Sequence, residues 1–217
     1  MRFELVIFDC DGVLVDSERI TNRVFAGLLR ELGLDFTFEQ MIEHFVGLSL
    51  PQCVAIMTEL LGHAPPADFA ERFRSGVGAA LARELTAMPG IETVLDSLTI
   101  PCCVASNGER QKMRATLAHT GLLSRFEGRL FNVSDVANPK PAPDIYLYAA
   151  ARCNTEPRAC AVIEDTPTGV AAGAAAGMTV FGYAGLIPPQ RLLAAGAHVI
   201  FHDMQALPEL LSAHTRK

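Results

Sequence analysis

The sequence predicts an α/β fold: a doubly wound parallel sheet with a helical domain inserted after its first strand. Three features carry this prediction. First, short apolar runs end abruptly at polar residues, which is how strands buried on both faces read when they reach the edge of a parallel sheet. Leu5-Val6-Ile7-Phe8 stops at Asp9, residues 100–105 stop at Ser106, and Ala161-Val162-Ile163 stops at Glu164. Second, stretches of helical spacing separate these runs, the alternation expected of βαβ units. Third, between Ser17 and Arg83 only helical stretches follow one another. Residues 17–83 therefore read as a helical domain set into a core made of 1–16 and 84–217.

The elements follow in order. After the first strand, Gly12 supplies the backbone freedom of a tight exit turn, and Asp16-Ser17-Glu18 places short polar caps and an acid at a helix start. Ile20, Val24, Leu28 and Leu32 continue that helix on one face, up to Gly33. Further helices are predicted over 38–45, 51–61 and 68–85, separated by Gly47-Leu48-Ser49 and by Gly62-His63-Ala64-Pro65-Pro66. Met88-Pro89-Gly90 marks the return to the core, with a short helix over 91–98 before the second strand. A helix from about 109 to 120 follows, closed by Gly121, then a strand near 129–133. Pro139-Lys140-Pro141-Ala142-Pro143-Asp144 reads as a rigid loop whose last proline opens a helix running to Cys153. Residues 178–183 and 198–201 supply two more strands.

Composition bounds the function. The chain has 217 residues, half of them hydrophobic, enough for one domain with an insertion. A net charge of −6 and a pI near 5.5 argue against a nucleic-acid binder or a protein held on an anionic membrane. The six cysteines, at 10, 53, 102, 103, 153 and 160, show no C-x-x-C spacing and read as buried thiols of a reduced compartment. No signal peptide is evident, so a cytoplasmic protein is expected. Residues 166–190 carry no charge, which raises a membrane span. The stretch is rich in Ala and Gly, holds three prolines and changes period midway. It reads instead as a small-residue helix, in which Gly169, Gly173 and Gly177 allow close approach to a sheet, then a buried strand and a turn.

Ligands of open α/β sheets sit outside the carboxyl ends of the strands. Asp9 with Asp11, Ser106 with Asn107, and Glu164 with Asp165 all fall there, and Lys140 is held between two prolines. Taken singly, each has a plainer reading: a surface turn, a helix cap, a surface charge. Two carboxylates as close as Asp9 and Asp11 need a cation nearby or one shared proton. The first case makes a site for Mg²⁺ and the second a nucleophile beside a general acid/base. Together, four carboxylates, a hydroxyl, an amide and an ammonium suit a Mg²⁺ ion with a phosphoryl group between it and the lysine. Ser106 and the N–H groups after it can then bond the remaining phosphoryl oxygens.

With these motifs in hand, the chain resembles the haloacid dehalogenase-like hydrolases, in the branch with a helical cap after the first strand of a Rossmann-like core. The resemblance rests on Phe8-Asp9-Cys10-Asp11-Gly12-Val13-Leu14-Val15-Asp16-Ser17, Ser106-Asn107-Gly108, Lys140-Pro141-Ala142-Pro143-Asp144 and Ile163-Glu164-Asp165-Thr166, in family order. It implies Asp9 as the nucleophile that forms an aspartyl-phosphate and Asp11 as the acid and base. It implies Mg²⁺ held by Asp9, the backbone carbonyl of Asp11, and Asp165 with Glu164, and Ser106, Asn107 and Lys140 as phosphate-binding residues. It also implies a cap that closes over a small phosphorylated metabolite.

Departures narrow the expectation. An aspartate at position 11 favours phosphate esters over carbon–halogen or carbon–phosphorus bonds. The similar β-phosphoglucomutases carry a histidine where this chain has Thr21 and an arginine where it has Leu50, so a phosphatase is expected before a phosphomutase. Ser106-Asn107-Gly108 followed by Lys112-Met113 is similar to bacterial sugar-phosphate phosphatases, the 6-phosphogluconate type among them. A non-catalytic metal- or partner-binding protein on the same fold is the third reading. In the insertion, His44, Gly47 and Ser49 are the specificity candidates, although a histidine beside Phe45 also suits packing.

Overall fold

A computed structural model describes residues 3–214. Residues 1–2 and 215–217, the ends of the predicted core segments, lie outside the described residues. The chain forms two compact units: Ser17–Leu85, and the chain on either side of it.

The larger unit is built on six parallel strands, β1 (Leu5–Phe8), β2 (Cys102–Ser106), β3 (Leu130–Asn132), β4 (Cys160–Glu164), β5 (Thr179–Tyr183) and β6 (Val199–Phe201). Their order in the sheet is β3-β2-β1-β4-β5-β6. The chain therefore winds outward from β1 in one direction through β2 and β3, then returns to β4 on the other side. Between β1 and β4 the winding reverses, which is where sheets of this kind hold their ligands. The register is tight: Phe8 lies opposite Val104 on one side and Ile163 on the other. The three strands thus end side by side, and all of β1 and β4 is buried. That double burial is the reason these strands are apolar runs and not alternating ones.

The surrounding helices are α5 (Ile91–Ser97), α6 (Arg110–His119), α7 (Asp144–Arg152), α8 (Pro167–Ala175), α9 (Pro189–Ala194) and α10 (Leu207–His214). α7 packs on β1, β2 and β3, and α8 packs on β4 and β5. The three glycines of the predicted small-residue helix take different tasks. Gly173 is the one at the sheet, where a Cβ would lie 2.8 Å from Val180; Gly177 has φ +72° at the helix exit; Gly169 faces Glu164. β2 begins at Cys102, two residues later than predicted, because Pro101 has no N–H for the ladder. α9 and α10 are not foreseen in the sequence. Pro188-Pro189 reads as a turn, yet Pro189 sits at the first helical position, where a missing N–H costs nothing. Short 3-10 turns at Leu123–Phe126, Val133–Asp135, Pro157–Ala159 and Met204–Ala206 complete the connections.

The smaller unit contains α1 (Ser17–Glu31), α2 (Phe38–His44), α3 (Leu50–Leu61) and α4 (Phe69–Glu84). Phe25 is the hub of its core: its ring meets Phe45, Phe69 and Phe73 edge-on at 5.2–5.9 Å. Edge-on packing of this kind adds about 1 kcal/mol per pair beyond area burial. Among the described residues no helix is long and apolar enough to cross a membrane.

Candidate active site

Asp9 is the first residue past β1, and its N–H still bonds Ile163 O at 3.0 Å, so the sheet ladder fixes its backbone. The turn behind it is closed by Gly12 N–H to Val15 O, with Gly12 at φ +78°. Asp9 is buried, with Ser106, Lys140, Glu164 and Asp165.

The centre of the cluster is the Lys140 ammonium. Its three N–H bonds match three acceptors: Asp9 Oδ1 at 2.7 Å, Glu164 Oε1 at 2.7 Å and Ala105 O at 2.9 Å. Burial works against the charge, but Asp9 and Glu164 outweigh it and hold the ammonium above the usual lysine range. For Asp9 the balance falls the other way. Burial raises its carboxyl to about 7, with Glu164 and Asp11 adding to the rise and Lys140 opposing it. The Lys140 backbone is held as firmly as its head. Asn107 Oδ1 accepts the Lys140 N–H at 3.0 Å, and Asn107 Nδ2 donates to Lys140 O at 3.2 Å.

Glu164 accepts five hydrogen bonds. Oε1 takes Lys140 and the Tyr146 hydroxyl at 2.8 Å. Oε2 takes Asp165 N–H at 3.1 Å, Thr166 N–H at 3.1 Å and Thr166 Oγ1 at 3.0 Å. Thr166 Oγ1 in turn accepts Gly169 N–H at 3.1 Å and caps α8. A Cβ at residue 169 would lie 1.7 Å from Glu164 Oε1, so only glycine leaves room for this carboxylate.

Asp9, Glu164 and Asp165 each bring one oxygen within 4.8 Å of the others, which forms a buried all-carboxylate group of the kind that holds a hard divalent cation. Asp11 stands beside this group, and its Oδ2 accepts the Lys112 ammonium at 2.9 Å. Ser106 Oγ accepts Gly108 N–H at 3.1 Å, which leaves the hydroxyl proton to donate elsewhere.

The structure therefore brings Asp9, Asp11, Ser106, Asn107, Lys140, Glu164 and Asp165 to one edge of the sheet. His44, Gly47 and Ser49 belong to the smaller unit, where each has a local structural task. His44 is exposed and tilts against Phe36 at 5.7 Å; Gly47 turns the chain at φ +84°; Ser49 caps α3 with Gln52. Two residues at the cluster were not singled out for a role by the sequence. Tyr146 sits six residues past Lys140, and the signal for it is a phenol on the buried face of α7. Lys112 stands out in the sequence only with Met113, as part of the likeness to sugar-phosphate phosphatases, and its pairing with Asp11 leaves no signal there.

Known proteins share this chain's sequence pattern and fold. A family model described as haloacid dehalogenase-like hydrolase matches residues 3–177. A 6-phosphogluconate phosphatase of Escherichia coli is 32% identical, over 98% of this chain and 96% of that one. A haloacid dehalogenase-like protein from Agrobacterium tumefaciens superposes with a TM-score of 0.95 at 32% identity, covering 99% of this chain and 100% of the other. A hydrolase of the same family from Deinococcus radiodurans, solved with bound phosphate and sodium, gives 0.85 at 32% identity, over 98% and 96%. The chain thus belongs to the haloacid dehalogenase-like hydrolases.

Proposed function

We propose that the protein hydrolyses a small phosphorylated sugar or sugar acid by way of an aspartyl-phosphate on Asp9, with Mg²⁺ as its cofactor. The observation that carries this reading is the Lys140 ammonium, bonded at 2.7 Å to the carboxylate at the end of β1 and next to the buried carboxylate group. That arrangement sets a nucleophile beside fixed positive charge, which is the requirement of phosphoryl transfer.

A carboxylate oxygen of Asp9 attacks phosphorus, and the bond from phosphorus to the substrate oxygen breaks. Asp11 gives that oxygen its proton. Asp11 then takes a proton from water, whose oxygen attacks the aspartyl-phosphate, and Asp9 is restored as inorganic phosphate leaves. Lys140 offsets charge on the transferring group, and the Ser106 hydroxyl donates to one of its oxygens. Asn107 has both polar atoms on the Lys140 backbone, so we assign it to holding that lysine in place. The donors suit Mg²⁺, being carboxylate oxygens within one small buried volume. The Asp9 and Asp165 carboxylates and the Asp11 backbone carbonyl would hold the ion, with Glu164 beside them, which leaves the Asp11 carboxyl to its proton transfers; when bound, the ion supplies charge neutralisation to phosphoryl oxygens. The similarity to a 6-phosphogluconate phosphatase supports a substrate of the sugar-phosphate or sugar-acid class.

A panel of sugar phosphates and sugar-acid phosphates with Mg²⁺, scored by release of inorganic phosphate, tests this reading. The wild type releases phosphate from at least one member, and Asp9→Asn from none. Turnover by the folded Asp9→Asn variant would refute the nucleophile.

A further inference from the structure

We propose that Lys112 positions Asp11 for proton delivery, and so governs how well the protein expels poor leaving groups. This rests on the reading of Asp11 as acid and base given above.

The Lys112 ammonium donates to Asp11 Oδ2 at 2.9 Å, across 101 residues of sequence. Lys140 cannot take this part, since its three N–H bonds are already matched to Asp9, Glu164 and Ala105 O. The Lys112 and Asp11 side chains are 49% and 22% exposed, and ion pairs that open to water contribute little to stability. The pair is nevertheless mounted on two rigid pieces. On one side, Asp11 belongs to the turn closed by Gly12 N–H to Val15 O and by Leu14 and Val15 N–H to Cys10 O. On the other, the start of α6 is clamped by Arg110, which donates to Leu130 O at 3.1 Å and to both Asp135 oxygens at 2.7 Å. An ammonium fixed on one carboxylate oxygen restrains rotation about both side-chain bonds of Asp11. A proton donor gains from such restraint only where the departing oxygen needs a proton.

The test compares Lys112→Met and Lys112→Arg with the wild type by kcat/KM, which reports the step that forms the aspartyl-phosphate. Two substrates are used: a sugar phosphate that the wild type hydrolyses, and p-nitrophenyl phosphate, whose leaving group departs without a proton. Lys112→Met is expected to lower kcat/KM about tenfold on the sugar phosphate and no more than about twofold on p-nitrophenyl phosphate. Lys112→Arg restores most of the loss, and the inhibition constant of inorganic phosphate stays the same. Equal losses on both substrates, no loss on the sugar phosphate, or weaker phosphate inhibition would each overturn the proposal. The parent reading is judged separately by Asp9→Asn, which must be inert on both substrates. If that variant turns over, the parent reading fails and the assignment of Lys112 falls with it.

Discussion

Asn107 and Lys140 are tied peptide to side chain. The amide oxygen of Asn107 accepts the Lys140 N–H at 3.0 Å, and its nitrogen donates to Lys140 O at 3.2 Å. The two bonds hold the peptide groups on either side of the Lys140 Cα, so the lysine head is aimed before any substrate arrives.

Asn107→Ala should therefore act on catalysis more than on the fold. Asn107 is exposed, and losing its two hydrogen bonds costs about 1–2 kcal/mol of stability. Misplacing a group at the reacting centre has larger effects, and kcat is expected to fall about tenfold or more. Asn107→Asp keeps the acceptor for the Lys140 N–H and should recover part of the activity. If Asn107→Ala instead weakened inhibition by inorganic phosphate with kcat unchanged, Asn107 would bind phosphate directly.

Lys140→Met should be costly to the fold. The substitution leaves two carboxylates, Asp9 and Glu164, facing each other without the cation that stood 2.7 Å from each. Removing one partner of a buried pair costs about 3–5 kcal/mol. Thermal unfolding should show a drop of that order, together with loss of turnover. A divalent cation should restore part of the stability, because it replaces the missing positive charge. A variant as stable as the wild type without added metal would show that the ammonium does not hold these carboxylates together.

Much of this arrangement can be read from the sequence, and the reason is physical. A strand buried on both faces must be apolar, so the carboxylates that end β1 and β4 stand out against the runs before them. The partners of those carboxylates are harder to read. Asn107 bonds a residue 33 positions away, and Tyr146 reaches Glu164 across 18. Neither pairing leaves any period in the sequence. Asn107 follows Ser106 at a strand end and reads as a phosphate ligand; nothing in its residue type announces that its side-chain atoms also face the Lys140 backbone. α9 escapes notice for a different reason, since a double proline resembles a turn until its second member is seen to open a helix.

Gly169→Ala should be among the most damaging substitutions outside the charged residues. A Cβ at residue 169 would lie 1.7 Å from Glu164 Oε1 and 1.9 Å from its carboxyl carbon. Glu164 would have to leave the five donors that surround it, or α8 would have to move off β4 and β5. Either change costs about 2 kcal/mol or more, since a displaced buried charge loses its partners. A lower melting temperature with lost activity is the expected result. Gly177→Ala serves as the comparison: it meets no atom within 4 Å and is strained only by its φ of +72°. It should cost about 1 kcal/mol and leave activity near that of the wild type.

The last prediction concerns pH. In the metal-free protein, burial raises the Asp9 carboxyl from 3.8 to about 7, so the folded state holds a proton that the unfolded chain has released. A folded-state pKa above the unfolded one means that the contribution of Asp9 to stability is complete below about pH 4 and is lost as pH rises through about 7. The raised ammonium of Lys140 has the same sign, but its effect begins only where an ordinary lysine loses its proton, near pH 10.5, and does not enter this window. The melting temperature of the metal-free wild type should therefore fall between about pH 4 and pH 7 and level off above that. Asp9→Asn removes the group that must ionise against its surroundings. It should melt higher than the wild type at about pH 8, by the equivalent of roughly 2 kcal/mol, and its profile should be flatter. Added Mg²⁺ should raise the wild type more than Asp9→Asn, since the ion stabilises the ionised carboxylate. Parallel pH profiles for the two metal-free proteins would show that Asp9 is already ionised in the fold, with Lys140 outweighing burial.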